Sequence, residues 1–198
     1  MGAYSRHSND RGNGAIPMAV SHPINVRLGK ADLGKAEQAS ALRYQLARAA
    51  GVQDRLIDTS RSGESADLPG LKAEIAVAKL LDIDFDPSAL GIDNGCDLYM
   101  QVGSKEVALQ VKSTHHPKAE WLLGTPHAKA NWDLSVFVRP TDSPEVMQVY
   151  GWIGMDNYQA RVQNVDLGHG THKGVHITSL NDMETLWRLM MIRKNDGS

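Results

Sequence analysis

Hydrophobic and polar residues alternate in two neighbouring runs, at positions 96–102 and 105–113. Strict alternation over this length is typical of β-strands with one face buried. The runs are joined by Gly103-Ser104, and a two-residue connection that begins with glycine is typical of a type II′ turn. The pattern therefore predicts an antiparallel hairpin in which Val102 faces Lys105.

This register decides which side chains share a face of the hairpin. Counting back from the turn places Asp97 directly across from Gln110, with their Cβ atoms about 5 Å apart. Lys112 lies on the neighbouring diagonal of the same face. The opposite face carries an apolar layer, which we expect to be buried: Leu98, Met100, Val107, Leu109 and Val111.

The remaining pattern predicts an α/β protein. Helices are expected at residues 31–50, 69–81 and 181–192, a helical turn at 156–161, strands at 134–139 and 146–153, and a short apolar run at 175–177. Residues 58–67 read as a polar loop, with Asp67 as helix cap and Pro69 in the first turn of the second helix. We expect a flexible N-terminal arm (residues 1–29) and one domain (residues 30–198) with a central mixed sheet of four or five strands flanked by helices.

Glu74 occupies an unusual position on the second predicted helix. At 100° per residue it falls within the apolar arc of that helix, between Leu81 and Ala78, while Lys72 and Lys79 lie opposite. A carboxylate facing the interior is too costly to remain unpaired. Glu74 therefore requires a cation, a hydrogen-bond network or a metal ion.

Composition argues against membrane-spanning, secreted and disulfide-rich proteins. No run approaches the ~18 apolar residues of a membrane span, and the N-terminus lacks the apolar core of a signal peptide. The single cysteine, Cys96, excludes an internal disulfide framework, and a cytoplasmic protein is expected. The formal net charge is −2, so binding of nucleic acid would need a local basic surface.

The hairpin and the second helix supply candidate chemistry. Two carboxylates (Glu74 and Asp97) and the amide oxygen of Gln110 are oxygen ligands of the kind that Mg²⁺ accepts. A metal there can activate water and neutralise a phosphate, and Lys112 can assist the attacking water.

These residues also carry a resemblance. Glu74 on a helix, then Gly95-Cys96-Asp97, then Leu109-Gln-Val-Lys112-Ser, resembles the motif of the PD-(D/E)XK nuclease superfamily of restriction enzymes and Holliday junction resolvases. The run from Tyr150 to Ile153 is similar to small phage-borne members. The resemblance implies a restriction-endonuclease-like fold and a Mg²⁺-dependent DNA endonuclease, with Mn²⁺ able to substitute. Such an enzyme would act in a prokaryotic or phage-infected cell.

The resemblance further implies roles for individual residues. Glu74, Asp97, Gln110 and the Val111 carbonyl would hold the metal, with Lys112 as the catalytic lysine. The family usually has Asp or Glu where Gln110 stands, so metal affinity should be lower here. Ser113, Thr114 and Lys118 are candidate contacts to DNA phosphates: they follow the motif directly.

Several alternatives remain open. The same fold could serve as a catalytically weak or silent DNA-binding or assembly module, which the glutamine and the acidic charge balance favour. A zinc-binding interaction protein could instead use His169, His172 and His176, although no second cysteine or His-Glu-x-x-His pattern is present. The oligomeric state is also open: enzymes that cut both strands of DNA are often dimeric, so a homodimer is one possibility.

Overall fold

A computed structural model describes residues 22–49, 51, 63–86, 96–124, 131–168 and 170–195. Within these residues the chain forms helices α1 (Lys30–Ala49), α2 (Gly63–Leu81), α3 (Met155–Arg161) and α4 (Met183–Asn195). Its strands are β1 (Ile24–Arg27), β2 (Leu98–Val102), β3 (Lys105–Ser113), β4 (Trp121–Leu123), β5 (Leu134–Pro140), β6 (Val146–Gly154), β7 (Gln163–Asp166) and β8 (Thr171–His176). In these described residues, no helix is long and apolar enough to cross a membrane.

The main sheet is mixed and has five strands in the order β1-β6-β5-β3-β2. Strands β3 and β5 run parallel, whereas the other neighbours are antiparallel. The sequence prediction of an α/β fold with a mixed sheet of four or five strands is confirmed. A second sheet of three strands, in the order β4-β8-β7, was not predicted, because its strands are short and β8 begins with exposed polar residues.

The predicted hairpin forms in the predicted register. Val102 pairs with Lys105, and the pairing continues to Leu98 opposite Leu109. Gly103 has a φ of 63°, a conformation that the first central position of a type II′ turn requires and that glycine adopts without steric cost.

Different layers cover the two faces of the main sheet. On one side, which we call the helical face, Leu109 and Val111 of β3 share a buried apolar cluster with α1, α2 and α4. On the other side, which we call the small-sheet face, Phe137 of β5 and Ile153 of β6 pack with residues of α3, β4 and β8. Because side chains alternate along a strand, Gln110 and Lys112 belong to the small-sheet face.

Two predicted boundaries are wrong. Helix α2 begins at Gly63, so positions 63–67 are helical rather than loop, and Pro69 lies inside the helix. Pro69 lacks an N–H and removes one helical hydrogen bond, but the buried residues after it keep α2 on the sheet. In the expected arm, Ile24–Arg27 forms β1 along β6, while residues 1–21 lie outside the described residues. Four residues are too few for alternation to reveal this strand.

Candidate functional site

Asp97 and Gln110 lie together at the start of the hairpin, as the register predicted. The side-chain amide of Gln110 donates a hydrogen bond to Oδ2 of Asp97. The backbone N–H of Val111 donates to the same oxygen at 2.7 Å, and the backbone N–H of Asp97 donates to the Leu109 carbonyl at 2.8 Å. The Asp97 carboxylate is therefore held in a defined place by backbone and side chain together.

Lys112 lies two residues beyond Gln110 on the same face and pairs in register with Phe137 of β5. Its side chain extends towards the end of β4, since a Cβ placed on Gly124 would lie 4.0 Å from Lys112 Cε. Tyr158 of α3 closes this side of the site by donating its hydroxyl to the Gly124 carbonyl at 2.6 Å. Burial raises the pKa of the Tyr158 hydroxyl, which keeps it a neutral hydrogen-bond donor.

Ser135 is a further polar residue beside this pair. It is the partner of Gln110 on the parallel strand β5 and is 1% exposed. Its hydroxyl oxygen has no hydrogen-bond partner among the described residues. The surrounding run Leu-Ser-Val-Phe-Val reads as a buried strand, so the sequence carried no signal that this serine would border the candidate site.

Glu74 is buried, as its position on the apolar arc of α2 predicted, and its partner is a cation. Nη2 of Arg43 on α1 donates to both carboxylate oxygens, at 3.3 and 3.0 Å. The side chain of Glu74 is 6% exposed and that of Arg43 is 26% exposed. Arg43 could have been found in the sequence, because it follows the buried Ala36 and Ala39 at helical spacing.

The structure brings together some of the predicted site residues and separates others. Asp97, Gln110 and Lys112 share the small-sheet face, whereas Glu74 belongs to the helix layer on the other face and faces α1. Within the described ranges, no group of three or more His, Cys, Asp or Glu side chains is arranged to hold a metal ion. The arrangement closest to the predicted centre is thus one carboxylate, one amide and one lysine.

The candidate DNA contacts lie at the end of β3 and in the segment that follows it. Ser113 and Lys118 are exposed, and Thr114 is half-buried, with its hydroxyl accepting from the His116 N–H at 3.2 Å. Exposed donors at the end of a strand are available to a ligand. Their contact with phosphates stays a prediction.

The proposed zinc cluster is only partly within the described residues. His169 lies outside them, and His172 is exposed on β8. His176 packs edge-on against Trp121, and its Nε2 lies 3.9 Å from Glu120. Nδ1 of His176 accepts from the Thr178 N–H at 3.4 Å, so His176 is a packing residue and a hydrogen-bond acceptor at the end of β8.

Cys96 precedes the hairpin on the apolar side and is half-buried. Burial raises the pKa of its thiol, although a hydrogen bond with Tyr99 acts in the opposite direction. A raised pKa leaves little thiolate at neutral pH, which disfavours a nucleophilic role.

Comparison with known proteins gives no relative: no protein-family model, curated protein or solved structure matches the chain. The resemblance to the PD-(D/E)XK superfamily therefore depends on the motif residues alone.

Proposed function

We propose that this chain is a divalent-metal-dependent endonuclease that hydrolyses phosphodiester bonds in duplex or branched DNA. The observation that supports this proposal is the direct opposition of Asp97 and Gln110 across the hairpin, with Lys112 two residues further on the same face. An acidic residue, an amide and a lysine on one strand pair follow the order of the superfamily motif. Asp97, Gln110 and Lys112 are half-buried, and Ser113, the last residue of β3, is exposed.

The donor set fits a hard divalent cation in part. Asp97 supplies a carboxylate, and Gln110 would present its amide oxygen after a half-turn of the amide group. These two residues and the Val111 carbonyl would hold the metal, whereas Glu74 is paired with Arg43 in the helix layer on the other face of the sheet. When bound, the metal would supply a water of lowered pKa and neutralise charge on the phosphate.

In the proposed reaction, the residues of the chain would hold the ligand in place and offset its negative charge. Asp97 is fixed by the Val111 N–H, so its carboxylate needs little reorganisation when a ligand arrives. Lys112 would hold the attacking water and offset the negative charge that develops on phosphorus. Gly124 lies beside the end of the lysine side chain, and the Tyr158 hydroxyl donates to the Gly124 carbonyl.

The test is plasmid nicking in Mg²⁺ or Mn²⁺ with a matched pair of lysine variants. Lys112→Ala is expected to abolish cleavage while preserving the melting temperature and DNA binding, because its role is in the transition state. Lys105→Ala is the control, since Lys105 lies on the same strand but is exposed and pairs with Asp133 at 3.2 Å. Cleavage by the Lys112 variant at the wild-type rate would remove this lysine from the mechanism.

A second candidate function, a DNA-binding or assembly module without catalysis, has its own supporting observation. Both candidate carboxylates already have internal partners: Asp97 accepts from Gln110, and Glu74 accepts from Arg43. A protein of this kind would bind DNA with the same affinity in chelator and in Mg²⁺ and would not cut it. Metal-dependent nicking that disappears in Lys112→Ala would exclude this function.

A further inference from the structure

Ser135 is a buried polar residue on the small-sheet face, one strand away from the candidate site. It is 1% exposed, and its hydroxyl oxygen has no hydrogen-bond partner among the described residues. Its neighbours in register are Gln110 of β3 on one side and Ile153 of β6 on the other. Of these two neighbours, only Gln110 has a polar side chain.

A buried hydroxyl without a partner is unfavourable for the fold. Taking it out of water without forming a new hydrogen bond costs free energy, and an alanine at the same position would avoid that cost. The hydroxyl of Ser135 therefore indicates a state of the protein in which it has a partner. The side-chain amide of Gln110 is the polar group next to it in register.

The orientation of the Gln110 amide differs between the structure and a metal-holding state. Its NH₂ group donates to Oδ2 of Asp97, so the nitrogen and not the oxygen faces the carboxylate. A cation beside Asp97 would need the amide oxygen instead, because an NH₂ group has no lone pair to offer a metal. The half-turn that brings the oxygen into place moves the NH₂ group away from Asp97, and this group then requires another acceptor.

The strand order places such an acceptor on the other side of Gln110. Strand β3 lies between β2 and β5. Asp97 directly precedes β2, whereas Ser135 lies on β5 in register with Gln110. Neighbouring strands are about 5 Å apart, so the long side chain of Gln110 can reach the Ser135 hydroxyl directly or through one water molecule.

We propose that Ser135 is a positioning residue of the candidate metal site. Its hydroxyl accepts a hydrogen bond from the Gln110 NH₂ group when the amide oxygen turns towards a divalent cation beside Asp97. Ser135 thereby stabilises the metal-holding orientation of Gln110 without touching the metal or the DNA. This inference rests on the metal site of the proposed function, and metal binding tests it separately from cleavage.

Titration of the full chain with Mn²⁺, followed by the electron paramagnetic resonance signal of free Mn²⁺, tests this role. Ser135→Ala is expected to bind Mn²⁺ about 3- to 10-fold more weakly than the wild-type protein, which corresponds to the loss of one neutral hydrogen bond. In chelator its melting temperature should be equal or higher, because the variant removes a buried hydroxyl that has no partner in the structure. A serine with only a structural role would give a lower melting temperature and an unchanged Mn²⁺ affinity.

Three further variants make the test specific. Ser135→Thr retains the hydroxyl and should bind Mn²⁺ as tightly as the wild-type protein. Ser40→Ala is the matched control: Ser40 is 2% exposed but lies on α1, so its loss should leave the Mn²⁺ affinity unchanged. In a Gln110→Leu background, Ser135→Ala should have no further effect, because the amide that needs the hydroxyl is gone. Wild-type Mn²⁺ affinity in Ser135→Ala, or failure of that variant to fold, would overturn the proposal.

Comparison with plasmid nicking separates this inference from the proposed nuclease activity. Weaker Mn²⁺ binding by Ser135→Ala, in a protein that does not nick plasmid, supports the role of Ser135 and refutes cleavage. Nicking together with an unchanged Mn²⁺ affinity in Ser135→Ala supports the nuclease and refutes the role of Ser135. Absence of Mn²⁺ binding by the wild-type protein refutes both.

Discussion

Replacing Gln110 by glutamate exchanges an amide group for a carboxylate, so that its attractive contact with Asp97 becomes a repulsive one. In the wild-type protein the amide of Gln110 donates to the carboxylate of Asp97. Glutamate is close to isosteric, so packing around β3 should change little. The variant instead sets two carboxylates against each other at hydrogen-bond range.

The expected loss of stability follows from two contributions. A hydrogen bond to a charged group stabilises a fold by about 1.5–3 kcal/mol, and that contribution disappears. Two like charges 4 Å apart repel by about 4 kcal/mol at an effective dielectric constant of 20. Because the pair can avoid part of this repulsion by sharing a proton, we expect metal-free Gln110→Glu to be about 2–5 kcal/mol less stable at pH 8.

The loss should depend on pH in a defined direction. Repulsion raises the pKa of the carboxyl pair in the folded variant above that of an unfolded carboxyl group. The penalty is therefore small below about pH 4, where both states are protonated, and grows as the pH rises through the range in which the unfolded carboxyls ionise. A penalty independent of pH would show that the two carboxylates do not interact.

Metal should have the opposite effect: Gln110→Glu, the less stable protein without metal, should bind Mg²⁺ more tightly than the wild-type protein. A second carboxylate beside Asp97 increases the negative charge available to a hard cation, and affinity in oxygen sites rises with the number of charged ligands. Melting in chelator and Mg²⁺ titrations of plasmid nicking measure the two halves. Gln101→Glu is the control, because Gln101 contacts Glu106 at 3.4 Å on the same hairpin but is exposed and screened. Equal Mg²⁺ requirements in wild type and Gln110→Glu would remove Gln110 as a ligand.

Three further perturbations test the fold around the site. Arg43→Met should cost towards the lower end of about 3–5 kcal/mol in chemical denaturation, because Glu74 stays buried without its guanidinium, and acid should reduce this loss by protonating Glu74. Cys96 should react with iodoacetamide more slowly at pH 8 than a free cysteine, since burial raises the pKa of its thiol. Gly151→Ala should cost about 1–3 kcal/mol, because a Cβ there would lie 2.5 Å from the Asn181 carbonyl oxygen.

Each of these three predictions has a control variant or a result that would contradict it. The double variant Arg43→Met/Glu74→Met should recover much of the stability lost in Arg43→Met, and failure to recover it would argue against a paired charge. Alkylation of native Cys96 as fast as in denaturant would contradict its burial. Gly70→Ala is the counterpart of Gly151→Ala: among the described residues, no atom other than those of its own helix backbone and its two chain neighbours lies within 4 Å of its added Cβ, so it should be neutral or stabilising.

The hairpin was predictable from the sequence because its structure depends on neighbours in the chain. Alternation defines which side chains share a face, and Gly103-Ser104 defines the turn. Together they set the register that places Asp97 opposite Gln110. The buried position of Glu74 followed in the same way from the period of one helix.

The partners of buried charged groups depended on the tertiary structure. Arg43 and Glu74 are 31 residues apart, and Arg139 contacts a carbonyl 20 residues away. A local pattern shows that a buried charge needs compensation, but only packing of separate elements decides which group provides it.

Strand order and the covering of the faces were decided in the same way. Strand β1 is recognisable only through its pairing with β6, and the small sheet only through the pairing of three short strands with one another. Strands β1, β4 and β7 have only three or four residues, and the six-residue β8 begins with exposed polar residues, so periodicity does not identify them. Short strands gain their stability from neighbours that are distant in sequence. The sequence alone therefore determined where Asp97, Gln110 and Lys112 lie relative to one another. Only the folded chain decided that Glu74 faces Arg43 on the other side of the sheet.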